Sequence, residues 1–263
     1  MKTVIAAIDL GATSARVLYH AAGFARLWSA RLEVLNVSGE EPDFVRARVR
    51  DLGTRDGAYA IDADDLDIVV RSGTVSDTIH REARATGASL VVMGSRSHRG
   101  LANLILGSSS QAFLRAAPCP VLLVPPIDLD IVNIAGRASL TCGPVLAAID
   151  PTEGCGPQLQ LASELADLAG RPLLLMTVAP VKLSTDAAAA MLHDRARRVE
   201  PLEPQAFIVR RGSIAEEISQ CAIREGAGLV VMGLQSRPRG TPGAIATAVL
   251  KTNRAFVLAV PGC

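Results

Sequence analysis

The sequence predicts an α/β protein built from two doubly wound, five-stranded parallel sheets. Short runs rich in Val, Ile and Leu alternate with longer helical patterns, as expected for parallel strands covered on both faces. The pattern also occurs twice. Val4-Ile5-Ala6-Ala7-Ile8-Asp9 returns as Val145-Leu146-Ala147-Ala148-Ile149-Asp150, an offset of 141, and Leu90-Val91-Val92-Met93-Gly94 returns at Leu229 with an offset of 139. Leu122-Leu123-Val124-Pro125 reappears as Leu258-Ala259-Val260-Pro261, an offset of 136. Each copy is the size of a small domain rather than a solenoid unit. The domains are placed at 1–126 and 143–263, joined by a linker from Pro125-Pro126 to Pro144 whose prolines discourage continuous regular structure. The fall in offset from 139 to 136 puts a three-residue loss in the second copy between Gly233 and Pro261.

The elements of the first copy follow in order. Val4–Ile8 is an apolar strand, and Thr13 or Ser14 is placed to cap a helix running to about Leu27. Leu32–Val37 is the second strand. Residues 38–67 are charged and read as a mobile loop with a short helix. Asp67–Arg71 is the third strand, followed by a helix over Val75–Thr86, the Leu90–Met93 strand, a helix over Gly107–Ala116 and the Val121–Val124 strand. In the second copy, strands are expected at Val145–Ile149, Pro172–Val178, Ala206–Val209, Leu229–Met232 and Phe256–Val260. Its helices are expected at Pro157–Ala169, about Thr185–Val199 and Ile214–Glu225, with a further helix start at Gly243-Ala244.

Composition removes several classes of function. The chain has 263 residues, 49% hydrophobic and 3% aromatic, with 27 basic against 26 acidic groups. Residues 1–125 hold 14 Lys/Arg and 13 Asp/Glu, so neither half hides a basic surface of the kind nucleic acid requires. Few aromatics leave little for base stacking. The five cysteines are odd in number and show no CxxC spacing, which fits small buried hydrophobes in a reducing compartment. The first apolar run reaches Asp9 too soon for a signal peptide, and no stretch is long enough to span a membrane. A cytoplasmic protein without membrane or nucleic-acid partners is expected.

Ligands on doubly wound sheets bind beyond the carboxyl ends of the strands, where strand order reverses. After the fourth strand the chain reads Gly94-Ser95-Arg96-Ser97-His98-Arg99, and then Gly107-Ser108-Ser109-Ser110 opens a helix. Glycine lets backbone approach a ligand, serines supply hydroxyls, and free N–H groups at a helix start suit an anion. A plain turn with a serine cap is the competing reading. Arg96, His98 and Arg99 favour phosphate. No GxxxxGK[ST] occurs, and the three lysines (Lys2, Lys182, Lys251) lie outside any glycine loop, so this is not a P-loop. No GxGxxG follows a strand, no HExxH or H-x3-H pairs the histidines for a metal, and no GxSxG elbow is present.

These residues resemble the universal stress protein family over nearly all of both halves. The family's nucleotide-binding form carries Asp after strand one and G-x2-G-x9-G-[ST] after strand four. This chain has Asp9 and Gly94-x2-Ser97-x9-Gly107-Ser108, with Ser97 in place of the second glycine. Arg115-Ala116-Ala117-Pro118-Cys119-Pro120-Val121 is similar to the family's approach to strand five. The resemblance implies an adenine nucleotide alpha-hydrolase-like, Rossmann-like sheet that takes ATP, with magnesium as an optional companion. Ile8 and Asp9 would meet adenine and ribose, and Val37 would line the adenine pocket. Met93 and Gly94 would pass beneath the nucleotide, Arg96 and Ser97 would flank it, and Gly107, Ser108, Ser109 and Ser110 would hold phosphates.

The second copy keeps Asp150 and Val178 but lacks the Gly-Ser clamp, and Pro238 and Pro242 remove backbone donors. Its nucleotide loop reads as degenerate. The resemblance further implies an intramolecular pseudo-dimer paired through Val121–Val124 and Phe256–Val260, with a homodimer of the whole chain also open. The leading functional expectation is an ATP-binding stress or signalling protein with no catalytic residue assigned. A slow ATPase and an interaction protein without nucleotide are the alternatives.

Overall fold

The computed structural model describes residues 1–54, 66–95, 107–199, 202–234, 244–252 and 255–262. The chain divides into two compact units, Met1–Ser139 and Leu140–Cys263. The first runs β1 (Thr3–Ile8), α1 (Ser14–Leu27), β2 (Arg31–Val37), α2 (Pro42–Thr54), β3 (Asp67–Arg71), α3 (Val75–Ala85), β4 (Leu90–Gly94), α4 (Ser108–Leu114) and β5 (Val121–Val124). Two very short strands follow in the connector, β6 (Val132–Asn133) and β7 (Ser139–Leu140). The sheet is parallel throughout, in the order β3-β2-β1-β4-β5. Val4, Ile5, Val91, Val92 and Leu122 are fully buried at its centre, which is why these runs carry no alternation of polar residues.

Strand order reverses at β1, which has β2 on one side and β4 on the other. Register there is tight: Ala7 lies beside both Leu35 and Met93. The residues that leave the sheet next, Asp9, Val37 and Gly94, therefore emerge at one edge and at one level.

Helix α1 is buried on nearly every side, from Val17 through Ala25. One face covers β1 and β4, and residues 125–134 cross the other. Arg16 donates to the carbonyls of Pro125 (3.0 Å), Ile127 and Leu129, and pairs with Asp130 at 3.1 Å. Tyr19 Oη donates to Val132 O (3.3 Å) and Arg26 to Ile134 O (3.2 Å). Gly23 faces Val132 so closely that a Cβ there would sit 2.8 Å from it. The connector is thus a strap over α1 rather than a passive tether.

His20 lies at the centre of this contact and is fully buried. Ile131 N–H donates to its Nε2 (3.3 Å), so the proton must sit on Nδ1, which donates to Arg16 O (2.7 Å). Burial lowers its pKa from 6.5 to about 4, opposed by the Arg16 carbonyl and by Asp130.

The helix expected within the charged stretch 38–67 is the thirteen-residue α2, longer than anticipated, and residues 55–65 lie outside the described residues. Val45 and Val49, one turn apart, are fully buried against the unit. The Glu41 carboxylate accepts the N–H groups of Asp43 (2.8 Å) and Phe44 (3.1 Å) at the start.

The second unit repeats the plan with β8 (Val145–Ala148), α5 (Gly156–Ala169), β9 (Leu173–Val178), α6 (Thr185–Arg197), β10 (Ala206–Arg210), α7 (Ile214–Glu225), β11 (Leu229–Gly233), α8 (Ala244–Thr252) and β12 (Phe256–Val260). Its parallel order is β10-β9-β8-β11-β12. Ser184 caps α6 by accepting Ala187 N–H (3.1 Å), while Gly170 and Gly226 close α5 and α7 in the left-handed conformation. Cys119, Cys142, Cys155 and Cys221 are buried free thiols, and burial raises the first two to about 12 and about 11. Among the described residues no helix is long and apolar enough to cross a membrane.

The His20 arrangement has a pH signature. A base whose folded pKa is depressed contributes stability above its unfolded value and loses it as pH falls through the window from 6.5 to about 4. That window corresponds to roughly 3 kcal/mol. Thermal melts should show the melting temperature falling across it, and His20→Gln, which accepts a hydrogen bond but does not titrate, should flatten that part of the curve.

Candidate functional site

At the β1–β4 reversal the first unit encloses a cavity of about 150 Å3, room for a ring-sized group. Nine of the eleven residues picked from sequence line it: Ile8, Asp9, Val37, Met93, Gly94, Gly107, Ser108, Ser109 and Ser110. Arg96 and Ser97 lie outside the described residues, as do His98 and Arg99. Thr13, Ser14, Leu35, Val75 and Ile79 also line the cavity but were not picked as site residues. Their signals were structural ones. Thr13 and Ser14 read as a helix cap, while Val75 and Ile79 are the one-turn repeat of an ordinary core helix.

The lining is divided by chemistry. Ile8, Val37, Leu35, Met93 and Ile79 supply apolar walls from three strands and α3. Asp9 sits on the rim, where its Oδ1 accepts Gly11 N–H (2.9 Å) and Ser14 Oγ (3.2 Å). Between Asp9 and Gly11, Leu10 holds φ +59°, a left-handed conformation costly for a leucine and maintained by that closed turn. At the far side, Gly107 precedes α4, and its three serines follow in succession, with Ser110 Oγ donating to Gly94 O at 3.5 Å.

Gly94 is required by space rather than by backbone angle. A Cβ there would stand 2.9 Å from Thr13 Oγ1, so its absence lets β4 approach the start of α1. Among the described residues no group of three or more acidic, histidine or cysteine side chains is arranged to hold a metal.

In the second unit the equivalent edge also opens into a cavity. Applying the repeat offsets, Ile149, Asp150, Val178, Met232 and Gly233 stand where Ile8, Asp9, Val37, Met93 and Gly94 stand in the first, and all five line it. The three serines correspond to Ala244, Ile245 and Ala246. Asp150 again closes a turn, its Oδ1 accepting Thr152 N–H (2.9 Å) and Oγ1 (2.6 Å).

Space at Gly94 is testable by a double-mutant cycle. Gly94→Ala should cost about 1 kcal/mol in chemical denaturation, and adding Thr13→Ala should recover most of it.

Comparison with known proteins agrees with this geometry. A model of the universal stress protein family matches residues 1–125. A universal stress protein of Thermus aquaticus, encoded in the QAH/OAS sulfhydrylase 3′ region, is 31% identical over 134 residues, covering 47% of this chain and 98% of that relative. Among solved structures, a universal stress protein from Archaeoglobus fulgidus DSM 4304 is similar at TM-score 0.70 and 19% identity, covering 98% of each chain. A protein of unknown function from Pseudomonas aeruginosa PAO1 is similar at TM-score 0.72 and 20% identity, over 99% of this chain and 92% of that one.

Proposed function

The chain belongs to the universal stress protein family, and from that premise and the cavity at the β1–β4 reversal we propose that its N-terminal unit binds ATP. The observation carrying this reading is the division of the lining, with apolar walls at one end and a carboxylate and a hydroxyl-rich turn at the others. The adenine ring would lie among Ile8, Val37 and Met93. Asp9 would accept the ribose hydroxyls, and Gly107 through Ser110 would meet the phosphates, which extend past the cavity mouth. Gly94 fits the same role, because the close approach of β4 to α1 leaves no Cβ between the strand end and the ligand. Arg96 and Ser97 are assigned to the site by their place in the family pattern. Magnesium would arrive on the phosphates rather than on protein carboxylates. The protein acts as a nucleotide-responsive stress or signalling protein of the cytoplasm.

The partner role belongs to the same proposal. Val121–Val124 and Phe256–Val260 are the edge strands of their sheets, and an apolar edge needs cover. Pairing them within one chain supplies it, with any homodimer built on top. Hydrogen–deuterium exchange reads this directly: slow exchange in both strands supports the pairing, and rapid exchange along the outer edge of either overturns it.

Calorimetry on the full chain tests nucleotide binding. Heat on addition of ATP, with or without magnesium, is expected for the unaltered protein. Asp9→Ala should weaken binding about ten-fold or more, the cost of a lost charged hydrogen bond. Gly107→Val should abolish it. Gly107 has φ −55° and ψ 152°, angles valine adopts readily, so the variant tests bulk at the site rather than backbone strain. No heat from the unaltered chain would favour the interaction-protein reading, and phosphate release lost in Gly107→Val would make it an ATPase.

A further inference from the structure

The C-terminal cavity has about 590 Å3 of space, within the range of small-molecule sites, and its chemistry differs from that of the N-terminal one. Three differences point the same way. First, serines 108–110 are replaced by Ala244, Ile245 and Ala246, so no run of hydroxyls faces an anion. Among the described residues, the charged ones that line the cavity are Asp150, Glu153 and Lys182, two acids against one base, a balance that does not favour a polyphosphate.

Second, methionines gather there. Met176, Met191 and Met232 all line the cavity, from β9, α6 and β11, in a chain with five methionines in total. At the matching offset Met176 takes the place of Leu35. Unbranched thioethers re-pack around varied shapes and make favourable contacts with the edges of aromatic rings.

Third, Thr177 supplies a single unsatisfied polar group. It is 1% exposed, lines the cavity, and its Oγ1 has no hydrogen-bond partner among the described residues. A buried hydroxyl left alone is costly, and a ligand atom that pairs with it removes that cost. Its counterpart in the first unit, Asn36, donates its amide N–H to Ile8 O at 3.0 Å and leaves its own Oδ1 unpaired among the described residues, but it does not line the N-terminal cavity. Beside it, Gln158 replaces Val17 and spends its amide N–H groups on the carbonyls of Ala148 (2.8 Å) and Val231 (3.1 Å). These bonds keep the strand reversal closed beneath the cavity.

We propose that the C-terminal unit is a separate binding site for an uncharged small molecule with a flat aromatic body and one hydroxyl or carbonyl group. The aromatic body lies among the methionines and the polar group meets Thr177 Oγ1. The site does not depend on nucleotide occupancy of the N-terminal unit, so the two readings fail independently.

The probe is 2-naphthol, titrated into the full chain by its own fluorescence, with naphthalene as the analogue lacking a hydroxyl. Thr177→Val keeps the shape and removes the hydroxyl. The unaltered protein should bind 2-naphthol, and Thr177→Val should weaken that binding about five-fold while leaving naphthalene unchanged. The unliganded variant should melt no lower than the parent, which separates loss of a contact from loss of fold. ATP in excess should leave bound 2-naphthol in place. Equal 2-naphthol affinity in both proteins, absence of binding, or displacement by ATP would each overturn the proposal.

Discussion

A parallel sheet has to be covered on both faces, and a strand order that reverses at its first strand cannot be covered continuously at the point of reversal. Helices leave β1 and β4 toward opposite faces, and the gap between their starts becomes a crevice at the strand ends. Both units of this chain obey that constraint, and both open a cavity at the same edge. What each cavity can bind is then decided by the few residues on the strand ends and the loop after the fourth strand. Scaffold and chemistry are separable here, and the duplicated chain has varied one while keeping the other.

Helix α1 joins the scaffold to the first cavity. Its opening residues Thr13 and Ser14 form part of the wall, and Gly94 is stripped of a Cβ to let them come close. Further along, the helix is held between the sheet and the 125–134 strap. This double cover explains the small Ala21-Ala22-Gly23 run and the buried, neutral His20. Arg16 is spent on the strap carbonyls and Asp130. Its charge holds the connector in place close to the cavity.

Much of this was legible in the residues. Strands appeared as apolar runs because burial on both faces removes any need for alternation, and the repeat fixed their correspondence. Asp9, Val37 and Gly94 could be named because strand ends are where the topology puts ligands. Other features were hidden. α2 was obscured by Arg46, Arg48, Arg50 and Asp51, although Val45 and Val49 mark its buried stripe. Ile79 sits at a helix position that reads as ordinary core, and only the folded arrangement shows that it also lines a cavity. The strap was invisible because its bonds are made by connector carbonyls, which carry no side-chain signature. Thr177 gave no signal either, since an unsatisfied hydroxyl can be recognised only once its surroundings are known.

The strap also changes where the chain can be divided. By its prolines the first domain ends at residue 126, and a gene cut there would look safe. It would leave Arg16 without the carbonyls of Ile127 and Leu129, His20 without the Ile131 amide, and Gly23 facing water where Val132 had been. A freestanding first half needs residues through about 134 to keep its helix dry. The segment that joins the copies is therefore part of one of them, and exchanging it for a generic flexible spacer would remove a piece of the first domain's wall.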